Sequence, residues 1–210
     1  MDLSAFQVGW AFEPIRSKAN VILVWVNTIK LMAFKYAIPE DRIAGSITLR
    51  VDKRSRLICQ AGSKLYSLNF PFVVTPLTSS GGQEGFSVKT RTGIELTGRV
   101  ASEIASLFTD SPNLNECSPE DYVDQLLAYV GRNPEIIEAV RYMTEEEDGY
   151  LRCDCDELNA NGHMHPLHHI DIFYSNSSSL KLGRKMESTS ATFMDMLDAS
   201  SDCHYVGPFD

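Results

Sequence analysis

The sequence lacks the short motifs that identify several common enzyme classes. It has no phosphate loop of the GxxxxGKS kind, no GxGxxG after a strand, no GxSxG and no HExxH pair. These absences exclude a standard nucleotide hydrolase, a standard dehydrogenase and a serine hydrolase. Any chemistry must come from side chains outside those motifs.

The chain also lacks a long hydrophobic run and has few cysteines. The most apolar stretch, residues 21–34, is interrupted by Asn27 and Lys30 and is shorter than the about 20 apolar residues that a bilayer span needs. The opening residues, MDLSAFQVGW, show no basic segment followed by an apolar stretch, as a secretory signal would. Five cysteines is an odd number and is most simply explained by reduced thiols. We therefore expect a cytoplasmic protein with no membrane partner.

The charge is unevenly distributed along the chain. The formal net charge is -9, but residues 1–100 carry 13 Lys and Arg against 7 Asp and Glu, whereas residues 101–210 carry 6 against 21. The basic half could therefore meet an anionic partner that the whole molecule repels at long range. Arg50, Lys53, Arg54 and Arg56 form the densest basic cluster and are the predicted nucleic-acid contacts. The alternative is a solvated hairpin tip without a ligand.

Hydrophobic periodicity predicts a single α+β domain over residues 1–210. A long helix is expected over residues 15–38, followed by strands at 46–51, 56–60, 65–74 and 85–90. A helical segment at about 95–147 should separate two sheet-forming parts, with helix starts at Ser118 and Asn133 and a final helix over 190–199. We expect an antiparallel sheet packed by the long N-terminal helix and by further C-terminal helices.

Residues 150–174 concentrate the groups that could carry chemistry. They include four of the five histidines, two of the five cysteines and several carboxylates. Side chains alternate between the two faces of a strand, so antiparallel pairing of two segments here would bring their polar residues onto one face. The candidate catalytic residues are Arg152, Asp154, Asp156, His165, His169 and Asp171.

This set of residue types suits metal-assisted hydrolysis. Asp154 and Asp156 would supply hard ligands, completed by His165, His169 or Asp171. Arg152 would meet a phosphate in bidentate fashion. The predicted metal ligands are Asp154, Asp156, His165 and His169, and the cofactor would be a divalent metal.

Three other interpretations fit the same segment. His165, His169 and Asp171 could cleave RNA without a metal, one imidazole taking a proton and the other giving one. A structural zinc ion could use Cys153, Cys155, His163 and His165, although that spacing is not a standard finger. Finally, the polar groups could merely satisfy one another in a strand pair.

The motifs of this segment resemble the C-terminal signature of a bacterial family, domain of unknown function 2290. In that family the pattern runs approximately R-x-D-x-D, then HP-x-x-H-x-H, then a basic residue and a final Ser/Thr-Phe helix. This chain has Asp171 where the pattern has its last histidine, and Lys181 or Arg184 could stand at the basic position. The resemblance is carried by Tyr150, Arg152, Asp154, Asp156, His165, Pro166, His169, Thr192, Phe193 and Leu197.

The resemblance implies a biological setting. Members of that family look like components of bacterial anti-phage defence, encoded beside a helicase-type protein, which makes nucleic acid the natural substrate. Two function classes follow. The protein could be a phosphodiester-cleaving nuclease, or a non-catalytic regulatory or adaptor subunit that binds the helicase partner or nucleic acid.

Overall fold

The computed structural model describes residues 1–34, 37–53, 55–78, 84–110, 133–162, 164–174, 180–198 and 200–201. Arg54, His163 and the helix start predicted at Ser118 lie outside this part of the chain. The described part contains both helices and an extensive antiparallel sheet, which confirms the predicted α+β class.

Seven strands form the main sheet, in the order β1-β2-β3-β4-β7-β8-β9, and every neighbouring pair is antiparallel. Strands β5 and β6 form a separate antiparallel hairpin. The strands are β1 Asp2–Leu3, β2 Gly45–Arg50, β3 Arg56–Ala61, β4 Lys64–Asn69, β5 Val73–Thr78, β6 Glu84–Lys89, β7 Leu151–Cys155, β8 His168–Ile172 and β9 Leu180–Arg184.

The α-helices of the described residues are α1 Ala5–Ala11, α2 Lys18–Ala33, α3 Gly98–Asp110, α4 Pro134–Glu145 and α5 Ser190–Met196. The long N-terminal helix α2 is shorter at both ends than the predicted 15–38. It begins where Ser17 and Asn20 form a capping box, each side chain accepting a backbone N–H of the other residue. It ends where Phe34 turns extended. The predicted cap at Asn133 is confirmed, since its side chain accepts from the Glu135 amide.

The single strand predicted over 65–74 is wrong. The chain leaves the main sheet after β4 and enters the hairpin with β5, and Phe70 and Phe72 between them are buried in the core. Pro71 cannot donate to a sheet ladder, so a continuous strand through this position is disfavoured. This stretch is therefore divided among β4, the buried link at 70–72 and β5.

The main sheet has one hydrophobic cluster on each face. The larger cluster packs α2, α3 and α4 against Ile47, Leu57 and Leu68 of the sheet. The smaller cluster places Phe193 of α5 against Cys153 and Ile170. Strands β7 and β8 therefore have an apolar face that is covered by α5.

The segment before β7 is fastened to the larger core. Lys18 forms an ion pair with Asp148, and the Tyr174 hydroxyl donates to the other oxygen of that carboxylate at 2.6 Å. These contacts fix the point at which β7 enters the sheet. Among the described helices, none has the length and hydropathy required to cross a membrane.

Candidate functional site

Antiparallel pairing of β7 and β8 brings polar side chains together, as predicted from the alternation. Arg152 lies opposite Asp171, and Asp154 lies opposite His169. The next strand, β9, then places Lys181 opposite Asp171. We call Arg152, Asp154, His169, Asp171 and Lys181 the polar cluster.

The polar cluster occupies the sheet face opposite to α5, where the main core ends. The residue paired with Arg152 on the other side is Tyr66, which is buried in the larger hydrophobic cluster. A face that is apolar at β4 thus becomes charged at β7 and stays charged across β8 and β9. Burying charges is unfavourable unless they are paired, so the contacts within the cluster decide its state.

Arg152 joins the two carboxylates. Its Nε donates to Asp154 Oδ2 at 2.9 Å, and its Nη2 donates to Asp171 Oδ2 at 2.7 Å. Burial opposes the charge on Arg152, but the neighbouring Tyr150, Asp154 and Asp171 outweigh it and raise the pKa of the guanidinium. The arginine is therefore a permanent cation that holds the carboxylates in place.

Lys181 is the second cation of the cluster. Its Nζ lies 2.9 Å from Asp171 Oδ1, in an ion pair whose alignment falls short of a hydrogen bond. One lysine and one arginine, two positive charges, thus face the two carboxylates of Asp154 and Asp171. The family pattern left Lys181 and Arg184 as alternatives for its basic position, and the register of β9 beside β8 places Lys181 next to Asp171.

The contacts of His169 indicate which ring nitrogen donates and which accepts. The imidazole is almost fully buried, and its Nδ1 lies 2.8 Å from the carbonyl oxygen of Pro166, which can only accept. Its Nε2 lies 3.1 Å from Lys181 Nζ, which can only donate as an ammonium. These two contacts favour the tautomer that donates from Nδ1 to Pro166 and directs the lone pair of Nε2 into the polar cluster.

The described residues 156–162 and 164–167 include a loop segment that lies against His169. The His165 ring packs edge-on to the His169 ring at a centroid distance of 4.7 Å. Pro166 lies directly over Gly183, where even a Cβ atom would come within 2.9 Å of the proline ring. The absence of a side chain at Gly183 therefore permits the contact between Pro166 and His169.

Asp156 and His165 belong to this loop and lie outside the arginine-bridged network. Asp156 accepts from the Asn159 amide and side chain at 3.0 to 3.1 Å, and the Asn159 side chain lowers the pKa of the Asp156 carboxyl. His165 Nε2 is 4.0 Å from Asp156 Oδ2, which is too long for a hydrogen bond. Of the predicted catalytic set, the structure unites Arg152, Asp154, His169 and Asp171, with Asp156 and His165 alongside.

Three members of the cluster could hold a metal ion. One ligand atom each from Asp154, His169 and Asp171 can be chosen so that all three lie within 4.8 Å of one another. Among the described residues, no other group of three or more His, Cys, Asp or Glu meets this criterion. Asp171 Oδ1 is also buried, and its partner is the Lys181 ammonium, which makes an ion pair with it but no aligned hydrogen bond.

The described part of the structural zinc set is not assembled. Cys153 is buried beside Ile170 and Phe193, on the sheet face opposite to His169, and burial raises the pKa of its thiol. A buried neutral thiol of this kind packs as a small hydrophobic residue. The alternation of β7 places Cys155 on the same face as Cys153, away from the polar cluster.

A cavity of about 330 Å³ gives access to the polar cluster from one side. Arg152, Asp154 and Asp156 line one part of it, and Tyr66 and Tyr150 line another. Its volume is at the lower end of the usual range for small-molecule sites. A ligand in this cavity would meet the guanidinium of Arg152, whose side chain is 39% exposed.

Two of the predicted nucleic-acid contacts, Arg50 and Arg56, have partners within the protein. Arg50 pairs with Asp52 at 2.9 Å and with Asp198 at 2.6 Å. Arg56 donates to the Ser67 hydroxyl and the Gly149 carbonyl, and burial lowers the pKa of its guanidinium. Lys53 is exposed. A role of this region in binding nucleic acid stays a prediction.

Comparison with protein-family models, curated proteins and solved structures found no match to this chain. The fold and the site together define an α+β protein that carries a compact Arg/Asp/His/Lys cluster on one face of an antiparallel sheet.

Proposed function

We propose that this protein is a metal-dependent hydrolase that cleaves phosphodiester bonds. The observation that supports this most strongly is the orientation of His169. Histidines that bind metals usually donate their other ring N–H to a carbonyl or carboxylate, which fixes the tautomer and aims the lone pair. The contact of His169 Nδ1 with Pro166 has this form, and the lone pair on Nε2 points towards two carboxylates.

In this proposal Asp154, His169 and Asp171 hold a divalent metal. A mixed set of two carboxylates and one imidazole suits manganese or zinc better than calcium, which prefers an all-oxygen shell. The metal, when bound, would polarise a phosphoryl oxygen and lower the pKa of a bound water.

The remaining residues would act on the substrate. Arg152 would bind a phosphate with the part of its guanidinium that does not hold the two carboxylates. Asp156 and His165 lie beside the ligands and would border the substrate rather than hold the metal. The cavity next to Arg152 and Asp154 provides the route of entry.

The biological setting of the proposal rests on the family resemblance alone. On this ground we propose that the protein acts in a bacterial anti-phage defence system with a helicase-type partner. Nucleic acid would then be the substrate that the partner supplies.

A cleavage assay tests the proposed activity. The purified protein is incubated with single-stranded and duplex DNA and RNA in magnesium, manganese or chelator. Loss of a metal ligand should reduce cleavage by about 100-fold or more, since even loss of a supporting partner can cost that much. We therefore expect Asp154→Asn and His169→Ala to be inactive.

His168→Ala is the matched control for His169→Ala. His168 is the adjacent residue of β8 and points to the opposite face of the sheet. It should leave metal-dependent cleavage intact. Cleavage that survives both Asp154→Asn and His169→Ala in proteins with native circular dichroism would overturn the proposed activity.

The second candidate is a non-catalytic subunit that binds the helicase-type partner. The excess of acidic residues after position 100 favours this alternative, because it could contact a basic surface. Such a complex should form at low salt and weaken as the salt concentration rises. Failure of the two proteins to co-purify even at low salt would contradict it.

A further inference from the structure

The ammonium of Lys181 contacts two of the three atoms that would bind a metal. Lys181 Nζ is 2.9 Å from Asp171 Oδ1 and 3.1 Å from His169 Nε2. These are the carboxylate oxygen without an aligned hydrogen bond and the imidazole lone pair. The ammonium of Lys181 thus occupies the position that the proposed metal ion would take.

An ammonium and a divalent cation cannot use these two ligand atoms at once. The lone pair of Nε2 can accept from Nζ or coordinate a metal, but it cannot do both. In addition, two cations a few ångströms apart in a partly buried site repel each other strongly. Metal binding therefore requires Lys181 to move away from both partners.

We propose that Lys181 is an exchangeable counter-ion that couples metal binding to the binding of an anionic substrate. In the metal-free protein it neutralises Asp171. When a metal takes its place, the ammonium is released and binds a phosphate group beside the metal. This inference rests on the proposed metal-dependent function and adds a residue and a coupling to it.

The position of Lys181 permits this exchange. Its side chain is 38% exposed and extends from β9, the last strand of the main sheet, on a flexible four-carbon stem. His169 and Asp171, by contrast, are nearly buried and held by Pro166 and Arg152. The lysine can therefore leave the site while the ligands keep their places.

The coupling must be reciprocal. A phosphate that attracts Lys181 removes the competitor of the metal, so it should raise the affinity for metal. Likewise, bound metal should raise the affinity for phosphate. If Lys181 merely forms a structural ion pair, its removal would leave the metal affinity unchanged or would lower it, because the ligands would lose their support.

Manganese titrations by calorimetry test the exchange. We compare the wild-type protein with Lys181→Met and Lys181→Gln, two variants that differ in polarity in case one folds poorly. Lys185→Met removes an exposed lysine shortly after β9 and serves as the control. We expect manganese to bind Lys181→Met about tenfold more tightly than the wild type. Lys185→Met should match the wild type.

A second titration tests the coupling. Manganese affinity is measured with and without a deoxynucleoside monophosphate, which offers a phosphate to the released ammonium. The monophosphate should raise manganese affinity in the wild type more than in Lys181→Met. Equal enhancement in the two proteins would overturn the coupling.

The outcomes separate this inference from the proposed function. If manganese binds the wild type and binds Lys181→Met and Lys181→Gln no more tightly, Lys181 is a structural partner and the metal site still stands. If manganese binds none of these proteins, the metal-dependent function fails, and this inference fails with it.

Discussion

At the scale of single residues, the site depends on the geometry around one buried imidazole. His169 has one nitrogen committed to the Pro166 carbonyl and the other aimed into the polar cluster. Neither feature follows from the residue type. Both follow from the loop that lies on His169 and from the lysine that a neighbouring strand supplies.

Gly183 is the residue whose substitution should disturb this arrangement most selectively. A Cβ at this position would lie 2.9 Å from Pro166 Cγ, so Gly183→Ala must push the proline away from His169. We expect a loss of about 1–3 kcal/mol in the free energy of unfolding, as for other overpacked contacts. Metal affinity should fall as well, because the Nδ1 contact loosens. Urea unfolding and manganese titration measure the two effects.

Gly85→Ala is the control for that substitution. Gly85 also lies in a strand, but the nearest atom to an added Cβ is Leu77 Cβ at 3.9 Å, which is ordinary contact. Its free energy of unfolding should change little. A Gly183→Ala protein as stable as Gly85→Ala and with unchanged manganese affinity would show that Pro166 does not hold His169 in place.

At the scale of elements, an ion pair connects the end of α5 to β2. Asp198 follows α5 and pairs with Arg50, the last residue of β2. Hydrogen bonds from Ser200 and Arg50 hold the pKa of the Asp198 carboxyl below its usual value of about 3.9. Because the folded-state pKa is lowered, this carboxylate stabilises the fold above the unfolded-state pKa and loses that contribution as the pH falls.

Asp198→Asn tests this connection. The wild type should be more stable than the variant at neutral pH, and the difference should shrink as the pH falls below about 4. Chemical denaturation of both proteins across this pH range measures it. A difference that is the same at neutral and acid pH would show that Asp198 acts by packing rather than by its charge.

At the scale of the whole molecule, a bound metal should stabilise the fold. Ligand at 100 times its Kd adds about 2.7 kcal/mol to the free energy of unfolding. For a chain of this length that corresponds to a rise in Tm of roughly 5–10 °C. We expect this rise with manganese in the wild type and its reversal by chelator, as measured by differential scanning fluorimetry.

The Asp154→Asn protein provides the comparison for the thermal shift. It loses one carboxylate charge of the proposed triad with little change in shape, so manganese should raise its Tm much less. A rise equal to that of the wild type would place the metal elsewhere on the molecule.

Local patterns determined a large part of this structure. The alternation over 150–174 correctly placed Arg152 and Asp154 on one face and Cys153 on the other, because side-chain alternation is a property of the strand itself. The cap predicted at Asn133 sets a helix start through contacts within four residues, as does the cap at Ser17, which the predicted start at residue 15 missed. Patterns of this kind need no knowledge of distant parts of the chain.

Only the tertiary structure decided which polar residues belong to the polar cluster and which have partners elsewhere in the protein. The register of β8 with β9 brought in Lys181, and the path of the loop separated Asp156 from Asp154. Contacts across the fold also gave Arg50 and Arg56 partners within the protein. The sequence by itself determined which side chains share a face, since that depends on local backbone geometry. Which faces meet depends on pairings between segments far apart in the chain, and these are selected by the packing of the whole molecule.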